Sequence, residues 1–525
     1  MAKPTTGALY YGDCLDWMDQ WDDESVDLIY LDPPFNSQSN YNMLFGKTVG
    51  EAQYRAFTDT WIWDAEAASR MDTYRSALGR RAHAAMVGLE LILGPSGMLS
   101  YLTYMAERLE HCYRLLKPTG SLYLHCDSTA SHYLKVVLDG IFGPERFQSE
   151  IVWKRTSAHS SARRYGPVHD IILFFSKSDA FSWRPQHQPY DPEYVKTFFD
   201  QEDASGRRYK RGDLTGAGIR HGETGLPWRG IDITAKGRHW AFTPATLDEM
   251  DNQGRVHWPA RRGGMPRLKQ FEDESLGVLL QDVWTDIRPL HNLSSERLGY
   301  ATQKPIALLR RVIQASSSPG DVVLDPFCGC GTTIAAAREL DRAWVGIDIS
   351  AFAIDVIRKR LDDPGIPAYG IPYDVAGATK LASERPFAFE TWAVTRLTGF
   401  VPNTKQVADG GVDGRGTVWE QPDGDVTRLA LAQVKGGTFS LGQLRDFGHV
   451  ISRDRAALGC YLTLDCVNTH AARVETTGMG TIRVSGMAYP RMQRWSIAEY
   501  FDDVSPVLPL MADPYTGKPM QMRLV

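Results

Sequence analysis

Several features that would decide the class of this protein at once are missing from its sequence. It has 7 Cys in 525 residues, an odd number with no Cys-x-x-Cys pair and only the spacing Cys328-x-Cys330. That pattern suggests neither a disulfide framework nor a zinc knuckle. Long apolar runs are absent as well. The longest uncharged stretch, residues 91–106, is broken by Gly94-Pro95-Ser96-Gly97, so no membrane-spanning helix is expected. No basic segment leads into an apolar one near the first residue, so no secretory signal is expected and a cytoplasmic location is. Charge of one sign is not in excess either. The 58 Lys and Arg face 63 Asp and Glu, a net charge of -5, so any basic surface must be local. The remaining composition, 43% hydrophobic and 23% charged, excludes disordered, collagen-like and coiled-coil chains. A chain of this length has room for about three domains, each with its own core.

What is present is an alternation of short β-rich runs with helical spacing. Residues 26–31 read as a buried strand ending at Asp32-Pro33-Pro34, residues 120–125 as a second and residues 171–175 as a third. Helical spacing occupies 105–116 and 130–138 between them. The expectation is a doubly wound α/β sheet. From 185 to 300 the periodicity fades. Residues 201–270 hold 13 Lys and Arg against 8 Asp and Glu, interleaved with Tyr209, Trp228, Trp240, Phe242 and Trp258. Residues 301–361 return to β/α order, 362–386 carry Pro-Gly turns and read as a linker, and a further α/β stretch covers 387–500 before a tail at 501–525.

Two constellations stand out in the β/α parts. Asp325-Pro326-Phe327-Cys328-Gly329-Cys330-Gly331-Thr332-Thr333 lies between a strand and a helix, and the strand 343–347 ends in Asp348. Glycines at a strand end allow close backbone approach, and an acid after the next strand can accept both hydroxyls of a ribose. The pattern suits an adenosine-containing cofactor, and equally a tight turn with a solvated Asp. The dinucleotide spacing of three glycines is missing. Asp32-Pro33-Pro34-Phe35 is the second constellation. Two prolines fix the Asp32 carboxylate and the Pro33 carbonyl in one direction, which suits a planar ring bearing an amine; a rigid turn is the plainer alternative.

Together, Asp32 to Phe35, Thr302-Gln303-Lys304-Pro305 and Asp325 to Thr333 resemble the amino-group DNA methyltransferases, which modify N6 of adenine or N4 of cytosine with S-adenosylmethionine. The order of catalytic motif, variable segment and cofactor motif is similar to the β arrangement of that family. The resemblance implies a permuted, Rossmann-like methyltransferase sheet over 1–184 and 301–361, with a target-recognition insertion at 185–300. It implies double-stranded DNA as partner, and a homodimer is one assembly compatible with it. Asp32, Pro33, Pro34 and Phe35 would hold the amine and its ring. Phe327, Gly329 and Gly331, backed by Asp325, would surround the methionine part of the cofactor, closed by Thr302 and Lys304. Asp348 would hold the ribose and Asp13 the cofactor adenine. Cys328 and Cys330 would be packing atoms, and Trp61, Trp63 and Trp153 core or cap residues. An Asp in the first motif position leans toward adenine. None of the seven Cys follows a Pro, which disfavours C5-cytosine chemistry. In the insertion, Arg207, Arg208, Lys210 and Arg211, with Arg261 and Arg262, are the expected phosphate contacts, a solvated face being the alternative.

A third constellation lies near the C-terminus. Gly411-Val412-Asp413-Gly414 precedes the strand 429–435, on which Gln433 and Lys435 share a face, and Glu390 lies upstream. This resembles the Mrr-type branch of the PD-(D/E)xK restriction nucleases, which implies a restriction-endonuclease-like α/β domain with Mg²⁺ held by Asp413 and Gln433. Lys435 would then activate water. The reading is a base-modifying enzyme fused to a nuclease. The alternatives are an N4-cytosine enzyme with an inert C-terminal module, a DNA-binding subunit with dead sites, or a protein-glutamine methyltransferase, which would more naturally carry Asn at position 32.

Overall fold

The computed structural model describes residues 2–33, 42–43, 54–55, 61–156, 165–261, 264–290, 294, 296–298, 303–403, 411–420, 427–512 and 520. Its framework begins with β1 (Ala8–Tyr11), α1 (Cys14–Met18), β2 (Val26–Leu31), α2 (Gly97–Leu115), β3 (Leu116–Cys126), α3 (Ser131–Phe142), β4 (Phe147–Lys154) and β5 (His169–Ser176). After the insertion come β6 (Val283–Trp284), α4 (Ile306–Ser316), β7 (Val322–Asp325), α5 (Thr332–Glu339), β8 (Ala343–Asp348), α6 (Ala351–Arg360) and β9 (Ala368–Tyr369). Nine strands form one sheet in the order β6-β4-β5-β3-β2-β7-β8-β1-β9. Only β5 runs antiparallel to its neighbours β3 and β4. Strand β2 is buried over all six residues, as a central parallel strand covered on both faces must be.

The break at Gly94-Pro95-Ser96-Gly97 separates two helices. Ser96 accepts the Leu99 N–H at 3.2 Å and caps α2, which therefore starts eight residues earlier than the 105–116 spacing suggested. The stretch 362–386, expected as a linker, is structured. Ala368 and Tyr369 pair with Leu9 and Tyr10, and Tyr369 stacks on Tyr10 at 5.0 Å. Pro364, Gly365, Pro367, Gly370 and Pro372 flank β9 and precede the helix α7 (Val375–Glu384), and both elements form.

Beyond α7 lie α8 (Pro386–Thr395), β10 (Phe400–Pro402), β11 (Gly414–Trp419), β12 (Thr427–Lys435), α9 (Leu441–Arg453), β13 (Leu458–Thr463) and β14 (Met492–Ser496). They form a second, five-stranded α/β sheet in the order β10-β11-β12-β13-β14. Part of the expected tail joins it, since Trp419 donates to the Leu510 carbonyl at 2.8 Å and Ala512 to that of Thr417 at 2.8 Å. The Tyr11 hydroxyl donates to the Ala388 carbonyl at 2.9 Å, and Arg396 pairs with Asp355 at 2.6 Å, so α8 is tied to both β1 and α6.

Residues 185–281 are a separate compact unit. Its largest sheet has four short strands, and its core is built on Leu214, Trp228, Ile233, Trp240, Leu247 and Val256. Trp228 and Trp240 are 2% and 0% exposed. The aromatic interleaving of this region is therefore largely a core signal.

Candidate active site

Strands β2 and β7 lie side by side, with Ile29 opposite Leu324. From this pair the chain winds outward in opposite directions, β2 to β3 through α2 and β7 to β8 through α5. With right-handed crossovers the two helices fall on opposite faces and leave a crevice at the carboxyl ends of the strands. Four carboxylates gather there: Asp32 after β2, Asp325 at the end of β7, Asp348 at the end of β8 and Asp13 after β1.

Asp32 is held by Lys304, whose Nζ donates to Oδ1 at 2.7 Å and to Oδ2 at 2.6 Å. Both side chains are largely buried, Lys304 at 10% and Asp32 at 17% exposure. Lys304, expected at the methionine end of a cofactor, thus has its ammonium on the catalytic-motif carboxylate. Pro33 is buried beside it, whereas Pro34, Phe35 and Thr302 lie outside the described residues.

The glycine loop is fixed from beneath by Asp325. Its Oδ1 accepts the Phe327 N–H at 3.0 Å. Burial pushes this carboxyl up to about 7 against the hydrogen bonds of Thr333 and Phe327, and the nearby charges of Asp32 and Asp348 add to the rise. Asp325 therefore supports the loop from within the core. At Gly331, φ is +72°, and a Cβ would lie 2.6 Å from the Ile357 side chain, so only glycine fits. Gly329 donates to Asp348 Oδ2 at 2.8 Å, and Ser350 to Oδ1 at 2.8 Å. Burial also raises the Asp348 carboxyl, to about 6. Cys328 and Cys330 are buried in the same turn.

Asp13 caps α1 by accepting the Leu15 N–H at 2.9 Å and binds Arg108 Nη2 at 2.9 and 2.6 Å. Arg108, 3% exposed, lies over the Tyr104 ring at 3.3 Å. Four further polar groups at this end of the sheet went unnoticed in the sequence: Tyr30, His125, Asp170 and Arg155. The Tyr30 hydroxyl meets His125 Nδ1 at 2.8 Å, His125 Nε2 meets Asp170 Oδ2 at 3.1 Å, and Arg155 Nε lies 3.2 Å from Asp170 Oδ1. The available signal was a lone polar residue inside an otherwise apolar strand, His125 between Leu124 and Cys126 and Asp170 before Ile171.

A model of the N6/N4 DNA methylase family matches residues 26–359. The chain belongs to that family. Its likeness to individual methylases is substantial in sequence. It is 37% identical over 265 residues to the Type II methyltransferase M.EcaI of Enterobacter cloacae, spanning 50% of this chain and 57% of that protein. It is 24% identical over 355 residues to the DNA adenine methyltransferase YhdJ of Escherichia coli, spanning 67% of this chain and 82% of that protein. Against the Type III StyLTI Mod subunit of Salmonella typhimurium the figures are 26% identity, 61% of this chain and 47% of that protein. The chain thus spans about half the length of several curated methylases that it matches. A solved structure of TTHA0409 from Thermus thermophilus, complexed with S-adenosyl-L-methionine, aligns over 69% of this chain and 96% of that one, with 14% identity and a TM-score of 0.33. Seven of the nine strands of the large mixed sheet lie within the residues that the methylase family model matches.

The unit at 185–281 does not present its basic cluster freely. Arg207 pairs with Asp273 at 2.7 Å and Glu274 at 2.9 Å, Arg208 with Glu272 at 3.5 Å, and Arg211 with Asp200 at 3.0 Å. Lys210 sits 4.9 Å from the Tyr190 ring. The acids at 272–274 fall just outside the window that gave the basic excess. Over 185–281 the unit has 14 basic and 14 acidic residues. Arg261 is exposed, and Arg262 lies outside the described residues.

The family match ends at residue 359, before the second sheet. There Asp413 Oδ2 accepts the Val434 N–H at 2.7 Å. The buried Gln433 Oε1 has no hydrogen-bond partner among the described residues. Lys435 ends β12, and Glu390 lies on α8. Among the described residues no three His, Cys, Asp or Glu side chains gather as a metal site, so the expected Mg²⁺ pair of Asp413 and Gln433 has one carboxylate, and that is partly engaged by the backbone.

Proposed function

We propose that this chain transfers a methyl group from S-adenosylmethionine to the exocyclic amine of a base in double-stranded DNA, with N6 of adenine favoured, in a restriction–modification or defence setting. The observation that carries this reading is Asp32: a carboxylate at the end of a central strand, gripped by Lys304, one strand from the glycine turn and two from Asp348. The residues fit the cofactor. The turn at Gly331 excludes a Cβ, and Asp348 is a half-buried acid that among the described residues accepts two backbone N–H groups, with lone pairs left for ribose hydroxyls. Asp348 would hold the ribose, Asp13 the adenine, and Phe327, Gly329, Gly331 and Thr302 the methionine end, while Lys304 holds Asp32. The cofactor supplies an electrophilic methyl group on a sulfonium.

A base inside a duplex cannot reach this crevice and must be flipped out. The Asp32 carboxylate and the Pro33 carbonyl then accept the two amine N–H groups and turn the nitrogen lone pair out of the ring. Lys304 keeps the carboxylate in place between turnovers. Orientation supplies most of the rate. Adenine is favoured by the Asp at position 32, and YhdJ, named as an adenine methyltransferase, is matched over 82% of its length; N4 of cytosine is the alternative. Labelled-methyl transfer to DNA, followed by sequencing for modified bases, tests the reading. Asp32→Ala should abolish transfer while cofactor affinity stays within about twofold, because the carboxylate acts on the base. Transfer retained by that variant overturns the assignment.

A second reading concerns the C-terminal sheet. The unpartnered Gln433 Oε1, on the same strand face as Lys435 and close to Asp413 in the sheet, favours an Mrr-like nuclease centre over an inert module. Asp413 and Gln433 would hold Mg²⁺ and Lys435 would orient water.

A further inference from the structure

The two acids read above as contacts to the cofactor's adenosine, Asp13 and Asp348, stand near one edge of the large sheet. β1 and β8 are neighbours, with Tyr11 opposite Asp348, and beyond β1 lies only the two-residue strand β9. The turn after β1 is tied to β8 by the Gly12 N–H, which donates to the Asp348 carbonyl at 2.9 Å. Gly12 has a φ of +133°, and a Cβ there would lie 2.7 Å from both Nη1 and Nη2 of Arg385. Glycine at this position thus admits a guanidinium as well as the backbone angle. Arg385 is fixed at the joint of α7 and α8. Its N–H donates to the Leu381 carbonyl at 2.8 Å, and its carbonyl accepts the Phe389 N–H at 3.0 Å. On the same helix the Ala388 carbonyl takes the Tyr11 hydroxyl at 2.9 Å. The start of α8 therefore grips the two residues before Asp13.

The far end of α8 grips the turn of the other acid. Ser350 caps α6 and donates its N–H to Asp348 Oδ1 at 2.8 Å, which joins that helix to the carboxylate. Arg396, at the C-terminal end of α8 and 12% exposed, pairs with Asp355 on α6 at 2.6 Å. Its Nη1 also reaches the Tyr500 hydroxyl at 3.3 Å, in the short helix Ile497–Phe501 that follows β14. The matched family region ends at residue 359, before α8 begins. We infer that α8 is a brace across the cofactor end of the site, with Arg385 and Arg396 as positioning residues for the turns that carry Asp13 and Asp348. The inference rests on the reading of those two acids as cofactor contacts. Without the brace, ordering the glycine turn and the start of α6 is a cost charged to cofactor binding. By linkage, the bound cofactor tightens the docking of α8 by the same factor.

Calorimetric titration of the full chain with S-adenosylmethionine measures the first half of that linkage. Arg385→Ala and Arg396→Ala should each weaken binding about five- to thirtyfold. The KM for cofactor should rise to match, while kcat at saturating cofactor and the KM for DNA stay within about twofold. Asp355→Ala should cost as much as Arg396→Ala, and the double variant no more than either, since one pair is lost in all three. Hydrogen exchange on the intact protein reads the reverse half and needs no variant: saturating S-adenosylmethionine should slow the amides of α8 by up to the same factor. Unchanged cofactor affinity in Arg385→Ala and Arg396→Ala, or α8 amides indifferent to the cofactor, overturns the inference. Asp348→Asn keeps the two readings apart. A parent that binds and an Asp348→Asn variant that binds more weakly uphold the cofactor reading whatever α8 does. A parent that does not bind S-adenosylmethionine refutes that reading and this inference with it.

Discussion

Asp325→Asn is expected to stabilise the protein at neutral and alkaline pH and to leave it unchanged in acid. The Asp325 side chain is 2% exposed, and burial pushes its carboxyl up to about 7, with Asp32 and Asp348 close by. In the unfolded chain the same group titrates near ~3.9. The folded state therefore binds more protons than the unfolded state between about pH 4 and 7, so stability falls as pH rises through that window. Below it the group is protonated in both states and costs nothing. Above it the full cost is about 4 kcal/mol, three pH units at ~1.4 kcal/mol each. Asparagine has no such titration and keeps an oxygen to accept the Phe327 N–H. Denaturant unfolding of the parent and the variant at pH 5, 6, 7 and 8 measures the difference. The gap between the two should open by about 1.4 kcal/mol per pH unit from 5 to 7 and then level off. Parallel stability curves would refute the assignment of Asp325 as a buried, high-pKa support of the loop.

Asp348→Asn should weaken cofactor binding about tenfold or more, measured by calorimetric titration, because ribose hydroxyls would lose a charged acceptor; unchanged affinity would place the ribose elsewhere. Arg261→Ala should reduce the salt dependence of DNA binding by about one phosphate contact, whereas Arg207→Ala, whose guanidinium is already committed to Asp273 and Glu274, should leave the slope unchanged. Equal effects of the two would mean that the Arg207 pairs open on DNA. If the C-terminal sheet is a nuclease, cleavage of methylated or unmethylated DNA should require Mg²⁺ or Mn²⁺ and vanish in Lys435→Ala, while methyl transfer survives; no cleavage of either substrate by the intact protein leaves a binding module.

Much of the candidate site was legible because its parts are local. Asp32 and Pro33 follow a strand whose six residues are all apolar or internally paired, and a proline cannot continue it. Gly331 adopts a left-handed φ within the turn it defines, and Asp348 ends the next strand along the chain. Such features depend on a few neighbouring residues, so the motifs were enough to place the glycine turn and Asp32 in one sheet. The strand runs at 26–31, 171–175, 322–324 and 343–347 became central strands for the same reason: continuous apolar character marks strands covered on both faces.

What only the tertiary structure decided are the meetings between distant residues. Lys304 lies 272 positions from Asp32, and nothing in the spacing of either motif brings the ammonium onto that carboxylate. The Tyr30, His125 and Asp170 chain depends on β5 lying antiparallel beside β3, a topological fact that puts Ile172 opposite His125 and Asp170 within its reach. The arginines at 207–211 look like a phosphate-binding surface until the acids at 272–274 fold back onto them along the neighbouring strand. In each case the partner is chosen by strand order and register, which place side chains far apart in sequence within hydrogen-bonding distance. Local spacing carries no record of that choice.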